Sequence, residues 1–169
     1  MKSLHPLQTL VLGLISLLAT NPAMAQEKFN IATGLGHPEL INLGLRYQMG
    51  QSQLGISAGF FPGEYEDVYS VGGDYYYHFG ETSVLSIRRP WYGRLGIYQL
   101  RLETDYEKRK YLLLVPRLGK DFNLSPKLGI AADAGLSFVL SREEEGLFED
   151  IGGMSDVILS IGFSLFYRL

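Results

Sequence analysis

The closing segment "VILSIGFSLFYRL" carries Val157, Leu159, Ile161, Phe163, Leu165, Tyr167 and Leu169 at every second position. Ile158, Ser160, Gly162, Ser164, Phe166 and Arg168 lie between them and are on average smaller and more polar. Side chains alternate faces along a strand, so this spacing predicts a strand with one apolar wall and one polar wall. The apolar wall runs to the last residue.

The same period recurs upstream. In "LINLGLRYQMG" the apolar set Ile41, Leu43, Leu45, Tyr47 and Met49 faces away from Asn42, Gly44, Arg46 and Gln48. "SQLGISAGFF" repeats it after a turn at Gly50-Gln51, predicting a hairpin. "VYSVGGDYYYHFG" sets Tyr69, Val71, Tyr75, Tyr77 and Phe79 against Ser70, Gly72, Asp74, Tyr76 and His78, and "KLGIAADAGLSFVL" sets Leu128, Ile130, Leu136, Phe138 and Leu140 against Gly129, Ala131, Asp133 and Ser137. "WYGRLGIYQLRLE" and "YLLLVPRLGKDF" fit if Arg94 and Arg117 take the polar side, but the phase then fails near Gln99 to Leu102, where a bulge or a departing strand is expected. Pro116 has no N–H to give a ladder, which argues against a central strand there. Strands are expected near 28–36, 40–49, 53–61, 68–79, 91–103, 110–122, 127–141 and 156–169. The stretch 80–90 has no assigned structure.

The opening "MKSLHPLQTLVLGLISLLATNPAMAQ" has Lys2, a short apolar core and Ala23-Met24-Ala25, the pattern of a secretory signal peptide cut after Ala25. This divides the chain into a leader, 1–25, and one domain, 26–169. The chain has no cysteine, so no disulfide framework is available to it. Its formal charge of −3 offers no basic stripe for nucleic acid. No apolar run after the leader is long enough for a membrane helix.

A sheet with one apolar and one polar face closes with the apolar face either inward, around a ligand, or outward, toward lipid. Outward is favoured here. Arg46, Asp74, His78, Arg94, Arg117, Asp133 and Arg168 share the polar face with many small residues, as a narrow lumen with paired charges requires. Tyr47, Phe60, Tyr69, Tyr75, Tyr77, Phe79, Trp91, Phe122 and Tyr167 fall near strand ends, as interfacial girdles do. A terminal strand can pair with the first and leave no open edge in lipid.

By its leader, strand number, turn asymmetry and closing "IGFSLFYRL", the chain resembles the small eight-stranded outer-membrane β-barrels of Gram-negative bacteria, of the porin-family or outer-membrane β-barrel-domain type. The resemblance implies an antiparallel up-and-down transmembrane barrel. In that family an alternating terminal strand is read by the barrel-assembly machinery, which makes Phe163, Leu165, Tyr167 and Leu169 the expected assembly signal. Leu169 stands where the family carries an aromatic. Outer-membrane lipid and lipopolysaccharide, the assembly machinery and an extracellular partner at the loops 62–67, 104–110 and 142–155 are the implied partners of a monomer.

An eight-stranded interior is just filled by side chains, so a wide pore is not expected. Nor is catalysis: His37 and His78 lack the companions of a metal site, and His78 with Asp74 or Asp133 reads as a lumen hydrogen-bond pair rather than a base with its orienter. No cofactor motif is present. The alternatives are a lipid A-modifying hydrolase or acyltransferase, and a soluble periplasmic barrel around an apolar ligand. With the lipid face assigned, Ser160→Ala is expected to be nearly silent.

Overall fold

The computed structural model describes residues 28–63, 66–104, 107–146 and 155–169; the side chains of residues 107 and 144–146 fall outside the description, as does the leader with its cleavage site. Eight strands follow one another: β1 (Phe29–Gly36), β2 (Leu40–Met49), β3 (Ser52–Phe61), β4 (Asp67–Phe79), β5 (Trp91–Glu103), β6 (Glu107–Asn123), β7 (Leu128–Gly146) and β8 (Val157–Arg168). Each pairs antiparallel with its sequence neighbour, and β1 pairs with β8, closing a barrel. No helix occurs among the described residues.

Closure gives the apolar terminal strand its partner. Pairs from Asn30↔Arg168 to Gly36↔Gly162 join the first and last strands, and Leu169 N–H donates to Phe29 O at 2.9 Å. No ladder edge remains, which is how a barrel disposes of the unpaired N–H and C=O groups of edge strands. The start of β1, the end of β8 and the connections at 50–51, 80–90 and 124–127 lie at one end, here the terminal end. The connection at 37–39, the ends of β3, β5 and β7 and the starts of β4, β6 and β8 lie at the other, the distal end.

The alternation sorts side chains by wall. Outward stand Ile41 (59% exposed), Leu43, Ile56 (66%), Val71, Leu95, Ile97, Leu118, Leu159, Ile161 and Phe163, all exposed. Inward on the same strands stand Asn30, Asp74, His78, Arg94, Arg117, Asp133, Ser160 and Arg168, all buried. This is the inverse of a water-soluble globule, which turns its apolar side chains inward. Aromatic side chains collect toward the ends of the outer wall: Phe29 with Tyr47 (ring centroids 4.9 Å apart), Tyr77, Phe79, Trp91 and Phe122 at the terminal end, and Phe60 with Tyr69 (5.0 Å) at the distal end.

Three expectations need correction. β5 is continuous through Gln99 to Leu102 and keeps one register with β4 and β6. The phase failed there because Leu100 points inward, into an apolar cluster with Tyr98, Tyr111, Leu113 and Val115 that fills the distal half of the lumen beside β5 and β6. The bulge sits instead in β7, where Leu112↔Ser141 is followed by Leu113↔Val139; Leu140 is the extra residue, and it and Ser141 are both exposed. Pro116 does lie within a central strand. The β6–β7 pairing skips Val115 and Pro116 and resumes at Arg117↔Gly135 without changing register.

Residues 107–110 and 142–146, expected as loop, are strand. They extend the β6–β7 ribbon, with Lys108↔Glu145, Arg109↔Glu144 and Lys110↔Glu143 as register partners of opposite charge. Of the loops expected to form a contact surface, residues 64–65, 105–106 and 147–154 lie outside the described residues.

Candidate functional site

The inward wall of the barrel places charge where no water layer surrounds it, and each charge there needs a partner. Arg94 of β5 meets Asp74 of β4 in a two-pronged contact, Nε to Oδ1 at 2.8 Å and Nη2 to Oδ2 at 3.0 Å, the planar fork that suits a carboxylate. Its Nη1 donates to Asp133 Oδ2 of β7 at 3.2 Å. Tyr98 O–H donates to Asp74 Oδ2 at 2.6 Å, and Tyr92 O–H to Asp133 Oδ2 at 2.9 Å. Arg117 of β6 donates through Nη1 to Asp133 Oδ1 and through Nε to Ser160 Oγ of β8, both at 2.7 Å.

A further carboxylate enters from a connection. Glu39, between β1 and β2, places Oε1 2.5 Å from Arg94 Nη2 and Oε2 2.6 Å from Arg117 Nη2. The same arginine nitrogen donates to the His37 carbonyl, and Ser160 O–H donates to that carbonyl at 2.6 Å. Arg46 completes the layer, donating to Ser164 Oγ at 3.1 Å with its guanidinium 5.0 Å from the Tyr76 ring centroid. Glu39, Asp74 and Asp133 thus balance Arg46, Arg94 and Arg117. The space left among Glu39, Arg46, Asp74, Arg94, Asp133 and Ser164 is about 30 Å³ for the centre of a water-sized sphere, room for a water or two.

Glycine makes the crowding feasible. A Cβ on Gly162 would stand 2.5 Å from Arg117 Nη1 and 2.7 Å from Asp133 Oδ1. One on Gly96 would stand 2.5 Å from Asp74 Oδ1.

Toward the terminal end a layer of Tyr76, Tyr92, Phe166, Ala32 and Ala131 follows, and then a second polar cluster. There the stretch 80–90 turns into the barrel mouth. Arg88 is 2% exposed; its Nη2 lies 2.6 Å from Asp121 Oδ2 and its Nη1 donates to Gln48 Oε1 at 3.3 Å. Gln53 donates to the same Gln48 oxygen at 2.8 Å. Arg168 of β8 donates to the Pro126 carbonyl at 3.0 Å and to Asn123 Oδ1. Arg88 and Arg168 place their guanidinium carbons 4.9 and 4.8 Å from the Phe166 ring centroid.

All seven residues expected in the lumen point inward, but they fall into two layers: Arg46, Asp74, Arg94, Arg117 and Asp133 in one, His78 and Arg168 in the other. His78 does not pair with Asp74 or Asp133. Its Nδ1 lies 3.0 Å from the Arg89 carbonyl, so the 80–90 connection and not an aspartate orients it. Ser160, expected to be indifferent, holds Arg117 and the His37 carbonyl together. Phe163, Leu165, Tyr167 and Leu169 share the outer wall of β8; Tyr167 is half-buried and the others are exposed.

Glu39, Arg88, Asp121, Tyr92 and Tyr98 were not anticipated. Asp121, Tyr92 and Tyr98 have the inward parity of Arg117 and Arg94 on their own strands, and that parity was the available signal. Glu39 and Arg88 sit in connections without a period.

Chemically, the arrangement neutralises and cross-links. Ser137 Oγ and His37 Nδ1 lie 3.5 Å apart, long for the hydrogen bond that activates a nucleophile. Among the described residues no group of three or more His, Cys, Asp or Glu side chains is placed to hold a metal ion.

No protein-family model and no curated protein matches the chain. Among solved structures, the crystal structure of Neisserial surface protein A (NspA) matches at 10% sequence identity and a TM-score of 0.44, covering 83% of this chain and 94% of that one.

Proposed function

We propose that this chain is a small outer-membrane β-barrel of a Gram-negative cell envelope, exported by a cleaved leader, with a plugged lumen and a structural or surface-interaction role. The observation that carries the reading is the inverted partition: exposed Ile56, Ile97, Leu159 and Ile161 outside, buried and cross-linked Arg94, Arg117, Asp74 and Asp133 inside. In water such an exterior aggregates; against hydrocarbon it is the stable arrangement, and closure of β1 onto β8 leaves no open sheet edge in lipid. Lipid and lipopolysaccharide are then the immediate surroundings of a monomer. The β8 wall is the surface offered to the assembly machinery, and the distal loops are the surface offered to an extracellular partner.

The plug has four tiers: the apolar cluster around Leu113, the network around Arg94, the layer of Tyr76, Tyr92 and Phe166, and the terminal cluster around Arg88. This filling by side chains supports a scaffold reading over a wide pore.

Cell fractionation with a heat-modifiability gel tests the placement: the protein is expected in the outer membrane, with a mobility that changes on boiling. Planar-bilayer recording tests the plug, with no steady conductance expected. Recovery from the soluble periplasm, or an open channel, defeats the corresponding part. A changed lipid A mass pattern on loss of the gene would replace the scaffold with an enzyme.

A further inference from the structure

The connection between β4 and β5 is inside-out in the same sense as the barrel. Along it Ser86 and Arg88 are buried, whereas Val84 (101% exposed), Leu85 (40%) and Ile87 (72%) face away from the protein. This is not the slack of a wandering loop. Arg88 is held by Asp121 and Gln48, the Arg89 N–H donates to Gln51 Oε1 at 3.3 Å, the Arg89 carbonyl meets His78, and Asn123 donates to Ser83 Oγ at 2.9 Å. The bonds fix the polar residues in the barrel mouth and thereby fix the apolar ones outward.

The surroundings are cationic and amphipathic. Lys28, Arg89 and Lys127 are exposed at this end, against a single exposed acid among the described residues there, Glu81. Lys120 lies with Nζ 5.0 Å from the Trp91 ring centroid and 5.5 Å from that of Phe122, its stem along the aromatic wall and its charge toward the rim. The distal end differs: there Lys108 Nζ lies 2.8 Å from Glu103 Oε1 and Lys110 Nζ 3.6 Å from Glu143 Oε2. Apolar residues beside cations that meet no carboxylate among the described residues, continuous with the outer belt, match the boundary of a bilayer with anionic headgroups.

We infer that the 80–90 connection and the rim of Lys28, Arg89, Lys120 and Lys127 form a docking surface for anionic phospholipid in the leaflet at the terminal end of the barrel. Val84, Leu85 and Ile87 enter the acyl boundary while the cations bind phosphate. The inference rests on the membrane placement proposed above and adds to it which leaflet is recognised and by what.

The chain supplies its own probes: Trp91 is the one tryptophan, and there is no native cysteine to compete with an introduced label. The barrel is refolded into phosphatidylcholine vesicles containing an equal mole fraction of brominated phosphatidylglycerol or brominated phosphatidylcholine. Trp91 emission is expected to be quenched about twofold more by the anionic lipid. That ratio should fall to unity in R89Q/K120Q/K127Q. A polarity-sensitive fluorophore on V84C or I87C should emit to the blue and resist aqueous iodide.

Equal quenching by the two lipids, or free access of iodide to Val84, overturns the inference. So does shielding that appears only at high protein-to-lipid ratio, because a second copy would then be the cover. Labels on I56C and I97C report the belt separately. If brominated lipid quenches them and not Val84, this inference alone fails; if it quenches none of them, the membrane placement fails.

Discussion

Glu39 Oε1 lies 2.5 Å from Arg94 Nη2, joining a three-residue connection at the barrel rim to the first half of β5 across the lumen. Its second oxygen takes Arg117 of β6, so one carboxylate pins a connection onto two strands on the far side of the sheet. The β1–β2 connection is thereby part of the interior.

Removing that carboxylate leaves Arg94 with Asp74 and Arg117 with Asp133, an interior one negative charge short. Glu39→Ala is expected to cost about 3 kcal/mol, the low end for breaking a buried pair, because both arginines keep a partner. Urea unfolding followed by Trp91 emission measures it. A cost under about 1 kcal/mol would mean that water already screens the network.

On β8, adjacent residues should respond in different ways. Ile161→Arg puts a cation on the lipid wall and should cost about 2–4 kcal/mol if it lies near the bilayer midplane. Ser160→Ala, on the inner wall, strips a partner from Arg117 Nε and from the His37 carbonyl, and should cost about 1–3 kcal/mol. The two differ in solvent dependence: the Ile161→Arg cost should shrink in a thinner bilayer, and the Ser160→Ala cost should not. A silent Ser160→Ala would place that hydroxyl in contact with water.

The Arg88–Asp121 pair is the anchor of the 80–90 connection. Arg88→Ala strands Asp121 in the barrel mouth and should cost about 3–5 kcal/mol. Adding Asp121→Asn removes the stranded charge, so the double variant should be more stable than the sum of the single costs implies. Additive costs would show that the two side chains act independently.

The eight strands and their facing were legible because a period of two is local: parity alone sends Asp74, Arg94 and Asp133 inward and Ile97 and Ile161 outward. Three things escaped for distinct reasons. Leu100, Leu113 and Val115 are apolar and inward, so the hydropathy contrast vanishes where the lumen is filled by an apolar cluster. The bulge at Leu140 is hidden because Val139 and Leu140 are both apolar, and a phase flip between like residues leaves no mark. Glu39 and Arg88 lie in connections, and only the closed three-dimensional ring brings them to Arg117 and Asp121.

The β1–β2 connection also carries a titrating group. His37 is held below its ordinary pKa by burial, which outweighs the opposing pull of Glu39, with a smaller lowering from Arg117; Ser137 Oγ is its other polar neighbour. In the unfolded chain an ordinary histidine protonates at about pH 6.5. Below that value the unfolded chain takes up a proton that the folded barrel refuses, so stability falls as the pH drops, and above it both states are neutral and the contribution is flat. Urea midpoints taken from about pH 8 to about pH 5 should therefore decline below neutrality, and His37→Gln should remove part of that slope without changing the plateau above it. An unchanged slope in the variant would mean that the imidazole reaches water and titrates alike in both states.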